Sequence, residues 1–174
     1  KIFTSGSFLD DEEVTPNVRN KILGTLSEKT DKISVESRPG YITEKKLKQI
    51  KNITGSKTFE IGVGLETAND TVRKYAINKG FTFSDYKKAS NTIKRNNCKL
   101  KTYVLIKPPF LTEKEAITDC INTVEKIKKT TDLVSFNPTN VQRNTLVDFL
   151  WKRQMFRPAW LWSVVEILKQ SKKS

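Results

Sequence analysis

Leu100-Lys101-Thr102-Tyr103-Val104-Leu105-Ile106, then Lys107-Pro108-Pro109, then Thr112-Glu113-Lys114-Glu115 decide the fold. The first run is rich in β-branched, aromatic and aliphatic side chains and reads as a strand. Two prolines stop it, because proline brings no N–H to a ladder. Thr112 and Glu115 stand at capping-box spacing: the hydroxyl accepts a backbone N–H three residues on, and the carboxylate reaches back. Ile117, Ile121, Val124 and Ile127 then recur at helical spacing. Strand, stop and capped helix make one unit.

The same unit recurs outward from it. Phe59-Glu60-Ile61-Gly62-Val63-Gly64 reads as a strand, with helices near 69–78 and 83–95 behind it, the second capped by Thr82 with Asp85 three residues on. Lys32–Glu36 alternates as a strand, and Thr43 opens a helix with Leu47 and Ile50 on one face. Thr15-Pro16 begins a helix carrying Val18, Ile22, Leu23 and Leu26, with proline at the first helical position. Asp132–Phe136 is a strand ended by Asn137-Pro138, and helices near 144–152 and 159–170 form a helical extension over 144–174. Lys1–Ser5 is read as the opening strand.

Five strands, each followed by helix, predict an α/β fold: a partial, open parallel β/α barrel of about five strand–helix units, as one domain over 1–174. The chain has 174 residues, short of the roughly 250 that a complete eight-unit barrel takes. A strand at residue 1 and a single methionine, Met155, predict that sequence precedes Lys1. An exposed edge at that strand makes an edge-to-edge dimer of a truncated form an expectation as well.

Absences narrow the chemistry. There is no histidine, which removes Ser-His-Asp and Cys-His catalysis and His-ligated zinc from this segment. Cys98 and Cys120 match no zinc or Cys-x-x-Cys spacing and read as small buried hydrophobes. No metal ligands are therefore assigned here. Neither a signal peptide nor an apolar run of membrane-spanning length occurs, so a cytoplasmic, reducing setting is expected. Lys+Arg is 32 against Asp+Glu 19, a net charge of +13. Such an excess attracts polyanions, although solvated lysines on helix surfaces give the same count.

In parallel α/β sheets function gathers at the carboxyl ends of the strands. Those ends read Ser5-Gly6-Ser7, Glu36-Ser37-Arg38-Pro39, Gly64-Leu65-Glu66-Thr67, Ile106-Lys107-Pro108-Pro109 and Asn137-Pro138-Thr139-Asn140. Gly6-Ser7 allows close approach of backbone to a ligand, or is a plain turn. Glu36 and Arg38 can bracket a zwitterion or pair with each other. Gly62-Val63-Gly64 is no dinucleotide fingerprint, since Thr67 stands at the third glycine position. Glu66 is placed to accept from a ribose diol. Asn137, Asn140, Gln142 and Arg143 offer donors and acceptors to a base edge or an adenine, or cap the next helix. Trp151, Trp160 and Trp162 beside Lys152, Arg153 and Arg157 can stack bases and hold phosphates. The tryptophans are expected instead to pack the last helices onto the sheet.

These motifs in this order resemble the radical S-adenosylmethionine superfamily, nearest to its Elp3-like members. Ser5-Gly6-Ser7, Glu36-Ser37-Arg38-Pro39, Gly62–Asp70 and Ile77-Asn78-Lys79-Gly80 with Thr82 carry the likeness. Gly6-Ser7-Phe8-Leu9-Asp10, Lys107–Glu113, Asn137–Arg143, Leu150–Arg153, Arg157-Pro158 and Trp160–Ser163 further resemble the archaeal radical enzymes of archaeosine biosynthesis. The resemblance implies S-adenosylmethionine as cofactor, with Gly6 and Ser7 at its methionine amino group, Glu36 nearby, Glu66 at the ribose and Lys79 at the carboxylate; Arg38 and Asn137 are assigned to cofactor binding with them. Lys107, Asn140, Gln142, Arg143, Lys152, Arg153 and Arg157 fall to the substrate side. It implies tRNA as substrate, a lysine-adducted 7-deazaguanine whose carbon–nitrogen bond is cleaved, and a separate lysine-transferring partner protein.

The superfamily's Cys-x-x-x-Cys-x-x-Cys motif for a [4Fe–4S] cluster is absent, so the resemblance puts the cluster ligands outside this segment and makes the segment alone inactive. Three readings stand beside it: a non-catalytic tRNA-binding domain, an ordinary barrel metabolic enzyme, and a radical enzyme with another substrate.

Overall fold

The computed structural model describes residues 1–3 and 6–172. It is an α/β fold. Four parallel strands, β1 (Lys32–Glu36), β2 (Thr58–Glu66), β3 (Lys99–Ile106) and β4 (Leu133–Pro138), form an open sheet in chain order. The helices are α1 (Pro16–Ser27), α2 (Glu44–Thr54), α3 (Asp70–Val72), α4 (Phe83–Arg95), α5 (Glu113–Ile127), α6 (Leu146–Lys152) and α7 (Leu161–Ser171). A strand lying beside its predecessor needs a crossover between each pair, which is why helix follows strand throughout.

The opening strand expected over residues 1–5 is represented, among the described residues, by one parallel bridge from Ile2 to Val35. Thr4 and Ser5 lie outside the described residues. Asn137 and Pro138 end the last strand from within it rather than beyond it. Both expected capping boxes form: Thr82 with Asp85 opens α4, and Thr112 with Glu115 opens α5. Thr43 caps α2 through the Lys46 N–H, whereas Thr15 makes no side-chain cap.

The chain divides into two compact units, Lys1–Gly64 with Phe81–Thr102 and Thr130–Leu133, and Leu65–Gly80 with Tyr103–Lys129 and Val134–Ser174. In the first, Leu23, Val35, Leu47, Ile50, Phe59 and Ile61 are fully buried, with α1 packed on α2. Its interior is not all apolar. The Tyr86 hydroxyl lies 2.7 Å from Thr102 Oγ1, which lies 2.8 Å from Thr131 Oγ1. Burial pushes the Tyr86 phenol up to about 12, so it is a hydrogen-bonding group and not a titrating one. In the second unit Leu65, Val104, Ile106, Cys120, Ile127 and Ile167 are buried, and α5 packs on α7.

Candidate functional site

Two of the strand ends hold unusual backbone. Glu66, last residue of β2, has φ 67°, and Lys107, first residue after β3, has φ 56°. A non-glycine residue there is uncommon and carries a local energy of order 1–3 kcal/mol. At Glu66 the cause is visible. The Thr67 N–H donates to the Leu65 carbonyl at 2.9 Å, a three-residue turn with Glu66 at its centre.

Lys79 is delivered to the same place by a second irregularity. The single helix expected near 69–78 is instead the short α3 running into a five-residue π-helical stretch, Arg73–Ile77. Asn69 caps it through the Thr71 and Val72 N–H groups, and Asn78 ends it in the left-handed region. The Lys79 N–H donates to the Arg73 carbonyl at 3.2 Å. That closure sets the Lys79 ammonium 2.6 Å from Glu66 Oε1, both groups partly shielded from water. Wide helical turns of this kind are frequent at functional sites. Beneath them lies Arg73, 1% exposed, which donates to the Thr67 carbonyl and pairs with Asp70.

In the other unit the Gly6-Ser7 element is held from several sides. Ser7 is fully buried, its N–H donates to Glu13 Oε2 at 2.6 Å, and its Oγ accepts the Arg38 N–H at 3.0 Å. A Cβ on Gly6 would stand 1.6 Å from Glu13 Oε2. The room that this glycine leaves is taken by the Glu13 carboxylate. Glu36 ends β1, where its carbonyl accepts the Phe8 N–H at 2.9 Å. Ser7 and Arg38, two residues of the expected set, are thus brought together, while Glu36 and Arg38 are joined through this backbone framework.

The substrate-side residues divide. Lys107 is buried. Its ammonium is 2.6 Å from Glu113 Oε2 and 5.9 Å from the Phe156 ring centroid, so it is committed to the protein's own ion pair. Glu113 also accepts the Trp160 N–H at 2.7 Å and is bonded by Ser163. Burial alone would raise this carboxyl, but Lys107, Ser163 and Trp160 outweigh it and hold it below the usual glutamate range. Asn137, Asn140, Gln142 and Arg143 are exposed at and after β4. Lys152 pairs with Asp148 at 2.8 Å, Arg153 lies 3.6 Å from the Phe149 centroid, and Arg157 lies 4.3 Å from Trp160.

The tryptophans correct the expectation that they pack inward. Trp151 and Trp160 are half exposed and Trp162 is 81% exposed. The residues that do fill this part are Leu150, Phe156 and Ile167.

Asp119 was not foreseen. It lines two adjoining cavities of about 390 and 240 Å³ with Asn69 and Asn122. Its Oδ1 accepts from Thr67 Oγ1 at 2.8 Å, and its buried Oδ2 has no hydrogen-bond partner among the described residues. Burial raises this carboxyl above the ordinary aspartate value. A raised carboxylate disfavours the folded state once ionised. That penalty is absent below the unfolded value and complete above the folded one. Asp119→Asn is therefore expected to stabilise the protein at neutral pH, by about 1–3 kcal/mol. The gain should vanish on acidification into the ordinary carboxylate range, as urea titrations at several pH values would read out. A destabilised variant at neutral pH would show that Oδ2 has a partner.

The residues present do not suit an iron–sulfur cluster. Among the described residues no three His, Cys, Asp or Glu side chains gather as a metal site. Burial pushes the Cys98 thiol up to about 11 and the Cys120 thiol up to about 12, and thiolates are what such clusters bind. S-adenosylmethionine is different. The Glu66 carboxylate and the Lys79 ammonium, both in one unit, match a diol and a carboxylate in kind. Among the described residues no helix is long and apolar enough to cross a membrane.

No family model matches the chain. Archaeosine synthase subunit beta of Methanosarcina acetivorans is 45% identical over 99% of this chain and 50% of its own length. The protein of the same name from Thermococcus kodakarensis is 42% identical over 99% of the chain and 54% of its own length. The chain thus spans about half the length of the curated relatives it matches. Among solved structures, Methanocaldococcus infernus Elp3 with an N-terminal deletion superposes with TM-score 0.73 at 19% identity, over 97% of this chain and 43% of that one. A radical S-adenosylmethionine methyltransferase, TsrM of Kitasatospora setae, gives TM-score 0.53 at 11% identity over 78% and 26%. The likeness read from the strand-end motifs is therefore met twice: by relatives named for archaeosine synthesis along the whole chain, and by the fold of radical S-adenosylmethionine proteins.

Proposed function

We propose that these residues are the S-adenosylmethionine-binding part of a tRNA-modifying enzyme of archaeosine synthesis. The proposed reaction cleaves the carbon–nitrogen bond of a lysine-adducted 7-deazaguanine. The observation that carries the reading is the Glu66–Lys79 pair at 2.6 Å, set by a strained strand end and a π-helical turn, in a chain 42–45% identical to proteins named archaeosine synthase subunit beta. "Subunit" in that name supports a partner protein, and the +13 charge supports a polyanionic substrate. The cluster's thiolates would come from residues outside these 174.

Within the segment the work is binding and orientation. Glu66 accepts from two neighbouring hydroxyls, and Lys79 offers a point charge to a carboxylate. Held together in the free protein, the two groups neutralise each other until a ligand separates them. At Gly6-Ser7 the Glu13 carboxylate takes the Ser7 N–H in the free protein, and a ligand amine would have that carboxylate as its partner. Bound S-adenosylmethionine would supply the radical chemistry of the superfamily.

Lys79→Ala and Glu66→Gln in the full-length protein should each weaken S-adenosylmethionine binding by about tenfold to a hundredfold, since a hydrogen bond to a charged group contributes about 1.5–3 kcal/mol. Calorimetric titration measures this. Unchanged affinity in both variants would remove the cofactor assignment. Nucleoside mass spectrometry of lysine-adducted tRNA after anaerobic turnover tests the substrate: archaeosine should appear only with S-adenosylmethionine present, and an unaltered adduct would sink it.

A further inference from the structure

α6 and the segment that joins it to α7 expose aromatic rings. Phe156 is buried with the Lys107 ammonium 5.9 Å from its ring, and the Trp160 backbone N–H is fixed to Glu113 at 2.7 Å. The segment is therefore pinned from beneath at both points. Yet Phe149, Trp151 and Trp160 each keep about half of their surface in water. Lys107 follows the last residue of β3 directly, so the Phe156 ring and the Trp160 backbone are tied to the carboxyl end of that strand.

Their neighbours are cations. Arg153 lies over Phe149 at 3.6 Å and Arg157 over Trp160 at 4.3 Å. Over residues 143–160 the charged groups are Arg143, Lys152, Arg153 and Arg157 against Asp148 alone. α7 is a contrast. Its exposed Leu161, Val165 and Leu168 recur on one face as an aliphatic stripe, which suits a protein surface and presents nothing to an anion. Rigid rings interleaved with guanidinium groups suit unpaired nucleotides. Each base has a face to stack on a ring or a guanidinium plane, and each phosphate takes a cation.

We propose that Phe149, Arg153, Arg157 and Trp160 form a stacking platform for unpaired nucleotides of an RNA loop, beside the carboxyl end of β3. This deepens the tRNA reading and rests on it for the choice of RNA. A duplex hides its base faces, so the platform prefers single strands. The charge excess elsewhere binds either form.

The test uses the full-length protein, a labelled single-stranded oligoribonucleotide of mixed sequence, and the same strand in a duplex. Fluorescence anisotropy at several salt concentrations reads both affinities. The unsubstituted protein should favour the single strand. Phe149→Ala with Trp160→Ala should lower single-strand affinity by about tenfold or more per ring while duplex affinity holds, and Trp160→Phe should restore most of it. Arg153→Ala with Arg157→Ala should flatten the single-strand salt slope by about 0.7 per arginine. Equal loss for both RNA forms, no loss for either, or a Trp160 shielded from acrylamide in the free full-length protein would overturn the platform; the last would mean that protein covers it. If archaeosine forms without any ring-dependent preference, the platform alone falls. If the preference is present but adducted tRNA is left unmodified, the platform stands and the substrate reading falls.

Discussion

Glu113→Ala should destabilise the protein by about 3–5 kcal/mol, the loss expected when one partner of a buried ion pair is removed. Lys107 and Glu113 side chains are 8% and 18% exposed, so water cannot replace the lost carboxylate. The Lys107 ammonium would stay in a site built for a pair, on a backbone already held at φ 56°. The Trp160 N–H and Ser163 would lose their acceptor too. Urea denaturation should show this as a fall in midpoint, and Lys107→Met in the same protein should recover much of it, because no charge is then stranded. The carboxyl is held below its usual range, so the pair's contribution is complete above the unfolded glutamate value. It is lost as pH falls through the lower folded value. The stability difference between Glu113→Ala and the parent should therefore shrink on acidification and stay constant from neutral pH upward. A difference under about 1 kcal/mol at neutral pH, the range of exposed pairs, would show that the site is open to water.

Arg73→Ala comes next in size. Its side chain fills a fully buried volume, so truncation opens a cavity and strands the Thr67 carbonyl. The two effects together amount to about 3–5 kcal/mol. Function should suffer with it. The Arg73 carbonyl closes the π-helical stretch onto the Lys79 N–H, and Thr67 follows Glu66. Loosening residue 73 should therefore weaken S-adenosylmethionine binding although Arg73 itself makes no proposed ligand contact. Hydrogen exchange should place the new mobility over residues 67–79. Full protection there with an unchanged melting temperature would contradict this account.

What could be read from the sequence was local chemistry. Thr82 with Asp85 and Thr112 with Glu115 form capping boxes because each needs only a span of three residues. The apolar strands announce themselves because parallel strands are buried on both faces. Glu66 and Lys79 were singled out by the resemblance of motif order, and their charged groups lie 2.6 Å apart. Harder to read were pairings made by tertiary structure. Glu113 looks like a favourable acid in a first turn, and nothing in its neighbours says that Lys107 and Trp160 will share it. Asp119 meets Thr67 across 52 residues. The π-helical stretch has no signal in periodicity, since Arg73–Ile77 reads as ordinary helix. The tryptophans misled for a definite reason: ring size argues for burial, but Leu150, Phe156 and Ile167 had already filled that interior.

The two buried thiols carry a practical consequence. Cys98 Sγ faces the Asn96 carbonyl and Cys120 Sγ the Leu105 carbonyl, each far above neutral in its ionisation. Alkylating agents attack thiolates, so the folded segment is chemically silent toward them. A cysteine placed at an exposed position such as Asn140 would then be this segment's lone handle for a maleimide dye or spin label, with both native sulfurs left in place.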